Sequence, residues 1–125
     1  MILDTSALSA MADGDSGLES VLQQAREIAI PAIVLGEYRF GVKRSRKRES
    51  YEQWLEELIS TSRVLPVDST AAICYSEIRD ELKTLGRPIP GNDLWIAAIV
   101  RDHRLPLLSR DTHFDSVPGI RRISW

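Results

Sequence analysis

Apolar and polar positions along the chain alternate between two signatures: short apolar runs of the kind buried strands make, and the three-to-four spacing of amphipathic helices. Ile2 and Leu3 run straight into Asp4, a very short buried strand ending on a carboxylate and followed by Thr5, Ser6 and an apolar-patterned helix. Leu18, Val21, Leu22 and Ala25 recur at helical spacing, and "EIAIP" reads as a second strand stopped by Pro31. "AIVLGEYRFGV" predicts a helix. The cleanest pattern follows, with Tyr51, Trp54, Leu55, Leu58 and Ile59 on one helical face. "RVLPV" is a third strand, confined by Pro66 to a sheet edge or a strand end. Ala71, Tyr75, Ile78, Leu82 and Leu85 mark another helix, with Gly86 as its stop. "GRPIPGN" is a loop, and "DLWIAAIV" is apolar nearly all round, a buried helix capped by Asn92 or entered through Asp93. "LPLLS" and "RRISW" supply the fourth and fifth strands.

Strands alternating with helices imply an α/β domain with a parallel, twisted sheet covered on both faces. Such open sheets bind ligands beyond the carboxyl ends of their strands. Asp4 stands at the end of the first strand and Asp111 just after the fourth, so both fall where a site is expected.

Composition narrows the class. At 125 residues, 43% of them hydrophobic and 27% charged, the chain has the make-up of one globular domain. No apolar run approaches the roughly 20 residues of a membrane span, and a first strand at residue 2 leaves no room for a signal peptide. The single cysteine, Cys74, cannot form an internal disulfide and reads as a reduced core residue of a cytoplasmic protein. A net charge of −2 argues against binding nucleic acid by bulk charge. Lys43, Arg44, Arg46, Lys47 and Arg48 nevertheless form a compact basic run in a mildly acidic chain.

Four carboxylates carry the candidate chemistry, and each has an ordinary explanation beside the functional one. Glu37 has Ile33, Val34, Phe40 and Gly41 as helical neighbours, apolar company with no cation, where a carboxylate is costly unless something compensates it. It sits either at a solvated helix edge or facing a polar cleft. Asp93 in a helix's first turn favours the macrodipole; Asp4 can cap the following helix, as can Ser6; Asp111 can form a turn. The set is stronger than its members. Acids brought together repel, and a hard, oxygen-preferring ion such as Mg²⁺ or Mn²⁺ resolves the repulsion. His103 and His113 read as too scattered for zinc, and no serine elbow or phosphate loop is present. The chemistry reads as acid-only.

"ILDTSAL", "AIVLGEYRFG", "GNDLWIAA" and "LLSRDTHF" stand in the order and spacing of PIN-domain motifs. In size and motif wording the chain resembles the VapC toxins of bacterial and archaeal toxin–antitoxin pairs. The resemblance implies a single PIN domain over residues 1–125, a flavodoxin-like α/β/α sandwich with a short, mostly parallel sheet of about five strands. It implies a metal-dependent endoribonuclease using Mg²⁺, or Mn²⁺, held by Asp4, Glu37, Asp93 and Asp111. Thr5, Ser6, Asn92 and Ser109 match the polar positions that orient the ligands, with Asp115 as an extra acid acting through water. Lys43, Arg44 and Arg46 are the expected RNA contacts. A VapB-type antitoxin, a homodimer and a toxin–antitoxin hetero-oligomer are the implied assemblies, with Tyr51 or Trp54 serving either the dimer or the core. A PIN ribonuclease of RNA maturation or decay, or an inactive PIN-like binding module, is the alternative. A haloacid-dehalogenase-type phosphohydrolase would require an aspartate where Ser6 stands.

Overall fold

Ile2 and Leu3 point to opposite faces of the sheet, as successive strand residues must, and both are fully buried. The sheet is therefore covered on both sides. The computed structural model describes residues 1–125. Its strands β1 (Ile2–Leu3), β2 (Ala29–Pro31), β3 (Arg63–Leu65), β4 (Leu107–Leu108) and β5 (Arg122–Ile123) form one sheet in the order β3-β2-β1-β4-β5. Every pairing is parallel, with Ile2 in register with Ala29 on one side and Leu107 on the other. β3 lies at an edge and stops just before Pro66, the placement the proline requires.

Helices α1 (Thr5–Ala12), α2 (Ser16–Leu22), α3 (Ala32–Val42), α4 (Arg48–Ser60), α5 (Ser69–Thr84) and α6 (Gly91–His103) connect the strands. A short 3₁₀ helix, Thr112–Ser116, leads from β4 towards β5. α6 buries Leu94, Ile96, Ala97, Ala98, Ile99 and Val100, nearly its whole circumference, as its sequence requires. Tyr51 and Trp54 are half-buried and pack on the Tyr38 ring at centroid distances of 6.5 and 6.0 Å, at the margin of the core. No helix is long and apolar enough to cross a membrane.

Four expectations need correction. Ala25 lies beyond the end of α2, where the chain has already turned. Leu85 is the C-terminal cap of α5 and is exposed, because Gly86 at φ +66° turns the chain away from the buried face. Neither Asn92 nor Asp93 caps α6: the helix starts at Gly91 with Pro90 in the cap position, leaving both side chains inside the first turn. Cys74 is half-buried rather than in the core, and burial raises its thiol pKa.

Candidate active site

β1 passes into α1 through Asp4 alone, which directly follows the strand and is the N-cap of the helix. Its backbone is extended, and Oδ1 accepts from the Ala7 N–H at 2.8 Å and from the Ser6 hydroxyl at 2.7 Å. Oδ2 accepts from the hydroxyl of Ser109, a fully buried residue directly after β4. The capping and site readings of Asp4 are thus compatible, since each carboxylate oxygen has more than one lone pair. Only 5% of the residue is exposed.

A short relay of side chains continues across the sheet end. Ser109 Oγ accepts the Asp111 N–H at 2.9 Å, and Asp111 Oδ1 caps the 3₁₀ helix by accepting the His113 N–H at 2.9 Å. The His113 ring then stands between two acids, with Nδ1 3.3 Å from Asp93 Oδ2 and 3.2 Å from Asp111 Oδ1. An imidazole so placed can donate Nδ1–H to either carboxylate. Asp93 is held there by the first turn of α6, and Glu37 by the middle of α3.

Burial is the main reason the Glu37 pKa is raised; the charges of Asp93 and Asp4 add to it, and the Thr5 hydroxyl works against it. Glu37 Oε1 and Thr5 Oγ1 are nonetheless both buried without a well-formed hydrogen bond. Their proximity lowers the charge cost but satisfies neither atom. The Asp93 pKa is raised by burial first, then by Asp111 and Asp4, with His113 opposing. Glu37 thus feels the charges of Asp93 and Asp4, and Asp93 those of Asp111 and Asp4, although the residues come from separate segments. No lysine or arginine forms an ion pair with any of them.

This is the environment a hard cation suits. Carboxylates from Asp93 and Asp111, with the His113 nitrogen, lie within 4.8 Å of one another, and Glu37 presents an unpartnered buried oxygen. The oxygen-rich donor set fits Mg²⁺, Mn²⁺ or a similar ion.

The remaining expected residues divide. Thr5, Ser6 and Ser109 lie against the acids as anticipated. Asn92 is exposed, one position from Asp93, and makes no side-chain hydrogen bond. Asp115 does not join the acids. Arg122 takes both its oxygens, at 2.8 and 2.9 Å, and also donates to the Ser109 carbonyl. Lys43, Arg44 and Arg46 are exposed and make no ion pair, whereas Arg39 and Arg48 are held by Glu56 and Glu52. Two features escaped the sequence. His113 belongs to the site, so its donors are not only acids; the signal was its position two residues after Asp111 in "RDTHF". Phe40, assigned to the apolar company of Glu37, is 81% exposed.

Comparison with known proteins shows the family of the chain. The PIN domain family model matches residues 1–120. Ribonuclease VapC5 of Mycobacterium tuberculosis is 32% identical, over 94% of this chain and 87% of its own length. The tRNA(fMet)-specific endonuclease VapC of Shigella flexneri is 31% identical over 79% of this chain and 76% of its own. The crystal structure of VapBC2 from Rickettsia felis, bound to a DNA fragment from its promoter, contains a chain that superposes with TM-score 0.87. It is 26% identical and the match covers 99% of this chain and 97% of that one.

Proposed function

The chain belongs to the PIN-domain family, and from that premise we propose that it is a VapC-type endoribonuclease, the toxin of a toxin–antitoxin pair, dependent on Mg²⁺ or Mn²⁺. The observation that carries the reading is the cluster of Asp93, Asp111 and His113, with Glu37 and Asp4 near enough to raise the Glu37 and Asp93 pKa values together with burial, and with no lysine or arginine paired with any of the four acids. A divalent ion held there would supply an activated water and charge stabilisation at the scissile phosphodiester.

The chain's own residues supply position. Asp93, Asp111 and Glu37 would hold the ion through their carboxylate oxygens. Asp4, fixed by the helix cap and by Ser6 and Ser109, presents a carboxylate that cannot rotate freely. Ser109 links Asp4 to the backbone of Asp111, tying together the acids at the ends of β1 and β4. His113 contacts both Asp93 and Asp111 and would be a further nitrogen donor to the ion. No side chain is positioned as a nucleophile.

Lys43, Arg44 and Arg46 are available for RNA phosphates because no acid neutralises them. With four of the 18 acids compensated by a cation, the remaining charge balance is positive. An antitoxin partner is supported by the solved relatives, which include VapBC complexes from Rickettsia felis and Salmonella typhimurium. The complete acid set disfavours an inactive binding module.

Incubating the purified, partner-free chain with total cellular RNA in Mg²⁺, in Mn²⁺ and in EDTA tests the reading. Cutting is expected with either metal, and is lost in EDTA and in Asp93→Asn. Folded protein that cuts under none of these conditions, or cutting that persists in Asp93→Asn, contradicts it.

A further inference from the structure

Phe40 is the most exposed large apolar side chain of the molecule, and nothing in the fold accounts for it. A phenylalanine left in water forgoes the burial that favours it inside proteins. It stands three residues after Glu37 on α3, a spacing that sets the two Cβ atoms about 5–6 Å apart on one side of the helix. The ring borders a groove of about 500 Å³ otherwise lined by Gly36, Arg39, Lys43, Arg48 and Glu52.

The setting is polar and its charge is unbalanced. Arg39 and Arg48 are neutralised by Glu56 and Glu52, while Lys43 and the neighbouring Arg44 have no acidic partner. Gly36, one helical turn before Phe40, lines the same groove. A Cβ built there would meet nothing within 4 Å, so packing does not demand glycine. The glycine weakens the helix relative to alanine and leaves the backbone beside the ring open to a flat ligand.

We propose that Phe40 is a stacking platform for an unpaired base of the RNA substrate. Lys43 and Arg44 hold the adjoining phosphates, and the platform fixes which phosphodiester enters the acidic cleft beside Glu37. An aromatic ring among unpaired cations is the surface that single-stranded nucleic acid takes, with a base on the ring and its backbone on the charges. A protein partner anchored on Phe40 would need apolar surroundings, and this groove offers glycine and charge. Because every base has a π-face, the platform sets register along the strand rather than sequence. The inference rests on the ribonuclease reading above.

The test uses the full chain carrying Asp93→Asn, titrated with a fluorescein-labelled, mixed-sequence single-stranded RNA of about 12 nucleotides. Adding Phe40→Ala is expected to weaken binding about 5- to 100-fold at fixed salt and to leave the salt slope unchanged. Phe40→Trp is expected to retain binding, and Phe40→Leu, apolar but without a π-face, to behave like Phe40→Ala. Replacing Lys43 and Arg44 together by alanine is expected to flatten the salt slope by about one and a half. The side chain is exposed, so these variants keep the fold. If the Asp93→Asn parent binds RNA and Phe40→Ala binds within about twofold of it, the platform is refuted while the ribonuclease reading stands. Retention by Phe40→Leu, or loss of self-association in sedimentation without loss of RNA binding, assigns the ring to an apolar contact and also refutes the platform. An RNA-blind parent, together with a wild-type chain that cuts nothing, overturns both.

Discussion

The Asp4 carboxylate accepts from a helix N–H and two serine hydroxyls, so its replacements should separate folding from chemistry. Asn keeps an acceptor for Ala7 and removes the charge. Asp4→Asn is expected to unfold in urea within about 1 kcal/mol of wild type and to lose divalent-ion binding and RNA cleavage. Asp4→Ala loses the cap and leaves the buried Ser109 hydroxyl without its acceptor, an expected cost of about 1–3 kcal/mol. Equal stability losses in the two variants would show that the charge itself, rather than the cap, supports the fold. Glu37 and Asp93 carry a pH dependence of definite sign. Their folded-state pKa values lie above the unfolded ones, so the metal-free fold favours their protonated forms. That contribution is present below the unfolded value and is lost as pH rises through the folded one. A divalent ion requires both acids ionised, so Mn²⁺ should raise the melting temperature more near pH 7 than near pH 5, about the upper edge of carboxylate titration. A Mn²⁺-induced shift of the same size at both pH values would contradict this. The closeness of Asp93 and Asp111 was legible in the sequence from their places at a helix start and after the fourth strand. His113 was not, since its relevance depends on a 3₁₀ turn that brings i and i+2 to one carboxylate. Phe40 was misplaced because the buried stripe of α3 is Val34, Tyr38 and Val42, with Glu37 at its margin and Phe40 beyond it.

At the level of elements, helical periodicity located α3, α4, α5 and α6, and short apolar runs located all five strands. The errors fell at helix ends. Ala25 continued a spacing that the chain itself abandons after Leu22, and Asn92 was given a capping role that belongs to the Pro90–Gly91 entry. Periodicity describes which face a helix buries; where the helix begins and ends is decided by local turns and by what the neighbouring segments allow. α5 and α6 pack extensively on each other, and Ile78 of α5 is fully buried. Ile78→Ala is expected to cost about 2–5 kcal/mol in urea unfolding through the cavity it leaves. It is expected to retain cleavage at low temperature, because Ile78 is not among the acids or their hydrogen-bond partners. Loss of cleavage in a folded Ile78→Ala chain would mean that the α5–α6 contact sets the geometry of Asp93.

For the whole molecule, the strand order places the site. The first three strands run outward to β3, and the chain then returns to lay β4 against the other side of β1. The carboxyl ends of β1 and β4 therefore meet where the connections diverge, the crevice in which open α/β sheets bind ligands. Asp4 and Ser109 flank that point, and α3 and α6 bring Glu37 and Asp93 to it. Alternation of strands and helices made this architecture readable from the sequence, and Pro66 limited β3 to a sheet edge or a strand end, of which both hold. What one dimension could not supply was the hydrogen-bond relay from Asp4 through Ser109 to Asp111, or the diversion of Asp115 to Arg122, because both depend on the register of β1, β4 and β5. If four acids from distant segments form one divalent-cation site, Mn²⁺ titrated into the chain and followed by electron paramagnetic resonance will report it. Saturable binding is expected in the wild type, displaced by Mg²⁺ and weakened at least about tenfold in Glu37→Gln and in Asp93→Asn. Binding of equal strength in all three proteins would contradict it.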